Sequence, residues 1–136
     1  MMKKIILVVS AFALLAGSTV TVEARVTDDN RIEKAIKAYK LSLDSENAGV
    51  RRSALLGLAQ VKSTAPSADV REVFGKLAKM SEKEDLDYIR VNAELIYIYL
   101  NNADLQEKVK LESFENADSF FKELYNAINN QYLAVR

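Results

Sequence analysis

Two arginines hold matching places in this chain. Arg51 follows Val50 and Arg90 follows Ile89, and each has an alanine three residues on, at Ala54 and Ala93. A cation at the start of a helix opposes the helix macrodipole unless an acid stands nearby. Each arginine therefore needs a carboxylate, and Asp44, Glu46, Asp85 and Asp87 are the local candidates. The pair could also hold an anion, but structural pairing is the preferred reading. The turn carrying Glu82, Glu84, Asp85 and Asp87 lacks the Asp, Asn and Gly spacing of an EF-hand loop and contains Lys83, so it reads as a solvated turn with a cap rather than a calcium site. Paired carboxylates can do acid and base work, yet here none sits in a recognisable motif and most fall on polar helix faces. The 136 residues include no Cys and no His. That excludes a thiol nucleophile, a Ser-His or Cys-His pair, a disulfide framework and the usual ligand sets for zinc, copper or haem. The expectation is a chain without catalytic residues, metal or cofactor.

The elements that must position the two arginines begin after an address. Lys3 and Lys4 precede an apolar run from Ile5 to Ala16, interrupted only by Ser10. This is a secretory signal pattern. Twelve residues of helix cover about 18 Å, short of the roughly 30 Å hydrocarbon core, so the run suits an h-region better than a spanning helix. An uncleaved anchor is the alternative. Val22 and Ala24 suit the −3 and −1 positions of a cut after Ala24, with a cut near Ala16 or Ser18 as the other option. Leu14 to Gly17 resemble the run before a bacterial lipoprotein's lipidated cysteine, but Ser18 stands in that place and can form no thioether. The expected division is a signal peptide at 1–24, removed, and one domain at 25–136, exported to the periplasm or secreted, with no stable membrane anchor. Without its leader the chain has 17 basic and 18 acidic residues. Such a balance, with no basic block, leaves no electrostatic footprint for nucleic acid or anionic lipid.

The remaining chain reads as all-α. It has a single proline, Pro66, few glycines, and no stretch alternating apolar with polar residues. A first helix is expected from Asn30, capped with Glu33, to Leu43, with Ile32, Ala35, Ile36, Tyr39 and Leu43 on one stripe. Asn47 or Gly49 then caps a second, carrying Val50, Ala54, Leu58 and Val61, where Ala54 and Gly57 allow a close neighbour. After the break at Ser63 to Ala68, Asp69 and Glu72 cap a third helix of Val70, Val73, Phe74, Leu77 and Met80. A fourth has two apolar stripes, Ile89, Ala93, Ile96, Leu100 and Val91, Leu95, Ile98, which predicts neighbours on both sides. A short helix near Leu105 to Leu111 and a last one from about Asp118 complete six helices in antiparallel pairs.

The spacing also repeats. A shift of 38 lays Ile32, Ala35, Ile36 and Tyr39 on Val70, Val73, Phe74 and Leu77. A shift of 39 lays Val50, Arg51, Ala54, Leu56 and Val61 on Ile89, Arg90, Ala93, Leu95 and Leu100. Two helices in about 40 residues is the period of HEAT and armadillo arrays. Val50, Arg51, Ala54, Leu55 and Leu58 resemble the second-helix pattern of a small HEAT-repeat protein, and Ile89, Arg90 and Ala93 repeat it. The acid usually five before the Val is Ser45 in the first unit and Glu84 in the second, Glu94 stands where Leu is usual, and the third unit lacks the Val-Arg pair. The resemblance implies helix pairs stacked as a short right-handed solenoid, with units at about 30–62 and 69–101 and a degenerate one at 102–135. It also implies an arginine and acid ladder between repeats, built on Arg51 and Arg90. A compact helical bundle is the alternative.

In such an array the second helices present Ser53 and Gln60 beside Asn92 and Tyr99, with Arg52 at the edge, as a surface for a protein or peptide. Of Tyr88, Tyr97 and Tyr99, the last is the expected surface residue, since Tyr97 aligns with Leu58. Phe120 and Phe121 point about 100° apart on one helix, so one of them is free to cover the open end or make a dimer. The leading expectation is a non-enzymatic binding adaptor of the cell envelope. A bundle self-associating through the sixth helix is the second, and a carboxylate-dependent enzyme the third.

Overall fold

The computed structural model describes residues 24–134, with side chains from 29 to 131. Six α-helices and no strand occur among them: α1 (Ala24–Ser42), α2 (Ala48–Thr64), α3 (Phe74–Lys83), α4 (Asp87–Leu100), α5 (Ala103–Lys108) and α6 (Ala117–Ala134). Short 3-10 turns at Arg71–Val73 and Leu111–Ser113 introduce α3 and separate α5 from α6. The all-α class read from the sequence is the class observed. The leader expected at 1–24 lies outside the described residues save for Ala24.

Side-chain caps set the starts of three helices. Asn47 caps α2, its side chain accepting from the Val50 amide at 3.2 Å, as expected of a short side-chain oxygen in an extended backbone position. Asn102 caps α5 through the Leu105 amide, and Asn116 caps α6 through the Ser119 amide at 2.8 Å. Two expected caps are absent. Asn30 lies inside α1, which begins at Ala24. No Gly or Pro lies between Ala24 and Asn30, and once a helix is nucleated each further residue adds a hydrogen bond. Asp69 accepts from the amide of Arg71 two residues on and from its guanidinium, so α3 starts only at Phe74, after the 3-10 turn.

Packing follows the apolar stripes. α1 lies on α2, α3 on α4, and α2 on α4; α4 also meets α5 and α6. Ile89, Ala93 and Ile96 of the first stripe are fully buried and Leu95 of the second is buried, but Val91 of the second stripe is exposed, so that stripe is covered only in part. At Gly57 a Cβ would lie 2.3 Å from the Tyr39 ring, so α1 and α2 approach through the missing side chain. The C-terminal segment adds an aromatic cluster. Phe120 touches Tyr99, Phe114 and Phe121 with ring centroids 5.5 to 5.8 Å apart, the tilted and edge-on contacts that aromatic quadrupoles favour. Both Phe120 and Phe121 are inside the fold.

Candidate functional site

Arg51 and Arg90 occupy the first turns of α2 and α4, one face of which their spacing dictates. Arg51 donates through Nη1 to the carbonyl oxygens of Ser45 at 2.9 Å and Glu46 at 3.1 Å. Its Nη2 and Nε reach the two carboxylate oxygens of Glu84 at 2.6 and 3.1 Å. Arg90 makes the equivalent backbone contact, Nη1 donating to the Glu84 carbonyl at 2.8 Å, and pairs with Asp87 through Nη2. Both arginines thus reach a carbonyl six residues upstream, and the two acceptors, Ser45 and Glu84, are themselves 39 residues apart. The Glu84 side chain then bridges backward to the preceding helix pair. The partner of Arg51 is none of the four local acids expected; it is the residue in the acid position of the next unit. Asp44 pairs instead with Lys76. Arg51 and Glu84 side chains are only 14% and 10% exposed, so this bidentate pair is desolvated, and each of the three guanidinium nitrogens has an acceptor.

The residues expected to form a binding surface divide differently. Ser53 is exposed, but Gln60, Asn92 and Tyr99 are buried. This corrects the expectation that Tyr99 is the surface tyrosine: Tyr88 and Tyr97 are exposed, and Tyr99 is the one in the core. The cause is the C-terminal segment. Tyr99 packs on Phe120 and donates its hydroxyl to the Val109 carbonyl at 2.8 Å. Burial pushes its pKa up to about 12, with the nearby Glu112 carboxylate adding to the rise and the Ser63 hydroxyl opposing it. Arg52 is half-buried. Its guanidinium lies 5.4 Å from the Phe121 ring centre and 5.7 Å from that of Tyr88, and bonds Asp118 at the start of α6. Arg52 Nε and Asn92 Nδ2 are buried with no hydrogen-bond partner.

Residues 111–121 therefore reach past α4 to α2. Ser63 of α2 donates to Glu112 at 3.0 Å, and Arg52 of α2 meets Asp118 and Phe121. A unit in a stacked array touches only its neighbour, and this segment touches both preceding pairs.

The open concave feature lies elsewhere. Between the N-terminal half of α1 and the α2–α3 connection is a cleft of about 850 Å³. Ile32 and Ile36 of α1 face Ala65 and Ala68 across it, while Asp29, Glu33, Asp69 and Glu72 bring four carboxylates to the rim against one guanidinium, Arg71. Sequence reading placed Ile32 and Ile36 in a core stripe and Asp69 and Glu72 in a cap, so the cleft went unseen; its signal was the unusual length of the break between Thr64 and Phe74. No protein-family model, curated protein or solved structure matches the chain. Function has to be read from its own residues.

Two of the carboxylates described above are committed to arginine partners. A general acid needs a carboxyl that keeps its proton near neutrality, whereas the Arg71 side chain and amide hold Asp69 well below the usual carboxylate range. The Glu84 oxygens are both engaged by Arg51. Among the described residues no group of three or more His, Cys, Asp and Glu lies close enough to hold a metal ion.

Proposed function

We propose that this protein is a non-enzymatic adaptor of the cell envelope that binds a protein or peptide, built from two HEAT-like helix pairs stacked in the right-handed sense and closed by its C-terminal segment. The observation that carries the reading is the repeated arginine contact. Arg51 and Arg90 make the same bond to the carbonyl six residues upstream, and Glu84 ties one pair to the next. Stacked helix pairs are a device for displaying extended surface on a rigid frame, and such a surface suits a binding role. The near-neutral charge and the Lys-led apolar run at the N-terminus support an exported protein that is free of nucleic acid and lipid.

The second-helix face does not serve as the binding surface in this proposal, because Asn92, Gln60 and Tyr99 are buried beneath neighbouring helices. Self-association through α6 has no specific support, since Phe120 and Phe121 are used within the chain. The test is capture of partners from the envelope fraction of the source organism by the tagged chain, with cross-linking and mass spectrometry. One saturable partner is expected; recovery of self-links alone would replace the adaptor by a structural bundle.

A further inference from the structure

We infer that the outward face of α4 is the docking site of this adaptor, and that its occupant is an amphipathic helix of the partner with one lysine or arginine set in its apolar ridge. The inference rests on the adaptor reading and names the surface and the kind of partner it takes.

Apolar exposure is concentrated on this helix. Of the large apolar side chains left exposed among the described residues, Leu86, Tyr88, Val91 and Tyr97 all fall on or beside α4. Val91 is 43% exposed, and Ile98, two turns later on the same line of the helix, is half-buried. A tyrosine bounds that line on each side. Tyr97 lies against Phe74 of α3, with ring centroids 5.6 Å apart, and Tyr88 beside the Arg52 guanidinium of α2. Ile89, Ala93 and Ile96 on the opposite arc sit in the core, so the face is held rigid before anything binds and association orders only the partner.

Charge selects the partner's sign. Glu94 lies between Val91 and Ile98, is exposed, and has no hydrogen bond or ion pair among the described residues. Arg90, one turn earlier, is already committed to the Asp87 carboxylate and the Glu84 carbonyl. One negative charge is therefore left unanswered within apolar surface. A helix whose apolar ridge carries a cation at that point satisfies both the area and the charge.

A second copy of the chain fits less well. Two part-exposed tyrosines, a valine and part of an isoleucine offer roughly 300 Å² of apolar surface, the scale of a functional patch on a monomer. A standard interface buries about 800 Å² on each partner, so the face suits one helix. A two-fold contact also brings the same patch of both subunits together. With Glu94 near the middle of the face, the two carboxylates would meet with no cation between them.

The experiment uses the full isotope-labelled chain and three fluorescent alanine-based helical peptides. Their centres read Leu-Ala-Ala-Lys-Ala-Ala-Ala-Leu, the same with Glu for Lys, and the same with Ser for both Leu. The Lys helix should bind saturably and shift the amides of residues 87–98, and the other two should each bind at least fivefold more weakly. Glu94→Lys, at an exposed position, should invert the order of the Lys and Glu helices with unchanged helical circular dichroism. Val91→Ser should weaken the Lys helix at least fivefold, and the native chain should sediment as a monomer. Equal affinity for the Lys and Glu helices, silence from all three, or amide shifts on another face would overturn the inference. A native dimer dispersed by Val91→Lys would overturn it too, by making a second copy the occupant. If an envelope partner is captured equally by the native chain and by Val91→Ser with Glu94→Lys, the site falls and the adaptor reading stands. If neither the helices nor the envelope fraction yields a saturable partner, both fall.

Discussion

Arg51 and Arg52 are neighbours in sequence, lie on adjacent sides of one helix, and hold two junctions together in opposite ways. Arg51 joins the first helix pair to the second through directed bonds alone: two to Glu84 and two to backbone carbonyls. Arg52 joins the first pair to the C-terminal segment by lying among the rings of Tyr88 and Phe121, with one bond to an Asp118 side chain that is 84% exposed and with its Nε unpaired. The first junction is specified by geometry, because a bidentate fork tolerates little displacement. The second is specified by apolar area, with the charge as an accessory. One residue type thus serves a register device on one side of α2 and a greasy contact on the other.

The largest test of this contrast falls on the apolar side. Phe120 is fully buried among three other rings, so Phe120→Ala should cost about 3 to 5 kcal/mol through lost transfer energy and a cavity. Urea denaturation followed by circular dichroism measures it. A loss below about 1 kcal/mol would mean that residues 103–134 are not part of the same cooperative unit as α1 to α4.

Next comes the polar side. Glu84→Ala leaves the Arg51 guanidinium buried without its carboxylate, and should cost about 3 kcal/mol, near the lower end for a buried pair that loses one partner. Replacing both residues, Arg51→Met with Glu84→Leu, should recover most of that loss, because the penalty belongs to the stranded charge. If the double variant were as unstable as the single one, the pair would be contributing net stability rather than register.

These two junctions also differ in how far the sequence announced them. The Arg51 and Arg90 repeat was legible because helix periodicity and a fixed shift of 39 place both at equivalent points. The acid of the first arginine was missed, since Glu84 is distant in sequence and only stacking brings it near. The helix count and the Asn47 cap follow from short-range rules that a sequence carries openly, whereas the caps expected at Asn30 and Asp69 do not form. The burial of Tyr99 does not follow from such rules, because it depends on where residues 103–131 fold back, and apolar spacing cannot say which of two helix faces a later segment will cover. The cleft was hidden for a related reason: Ile32 and Ile36 look like any core stripe until the turn at 65–72 is seen standing away from them.

A smaller effect probes the boundary between the two junctions. The Tyr99 hydroxyl is held un-ionised in the folded chain, its pKa raised by burial from the ordinary 10 to about 12. Because the folded value is the higher one, the resulting stability is fully present below pH 10 and is lost as pH rises from 10 towards 12. Tyr99→Phe should cost about 1 to 2 kcal/mol at neutral pH, since the Val109 carbonyl loses its donor. The advantage of the native chain over this variant should shrink when melting is followed above pH 10. Parallel curves through that range would mean that the hydroxyl reaches water.

The smallest effect is the most discriminating. Asp118 carries the only carboxylate bonded to Arg52 among the described residues, yet its side chain is mostly in solvent. Exposed pairs of this kind contribute about 0 to 1 kcal/mol and weaken with salt, so Asp118→Asn should cost about 0.5 kcal/mol or less, and nothing at 0.5 M salt. Arg52→Ala should cost several times as much, because it removes a side chain that fills the space between two rings as well as a charge. The ratio of the two separates packing from pairing at this junction. Equal losses for Asp118→Asn and Arg52→Ala would make the charge, and not the ring contact, the agent that holds α6 to α2, and would turn the second junction into a weaker copy of the first.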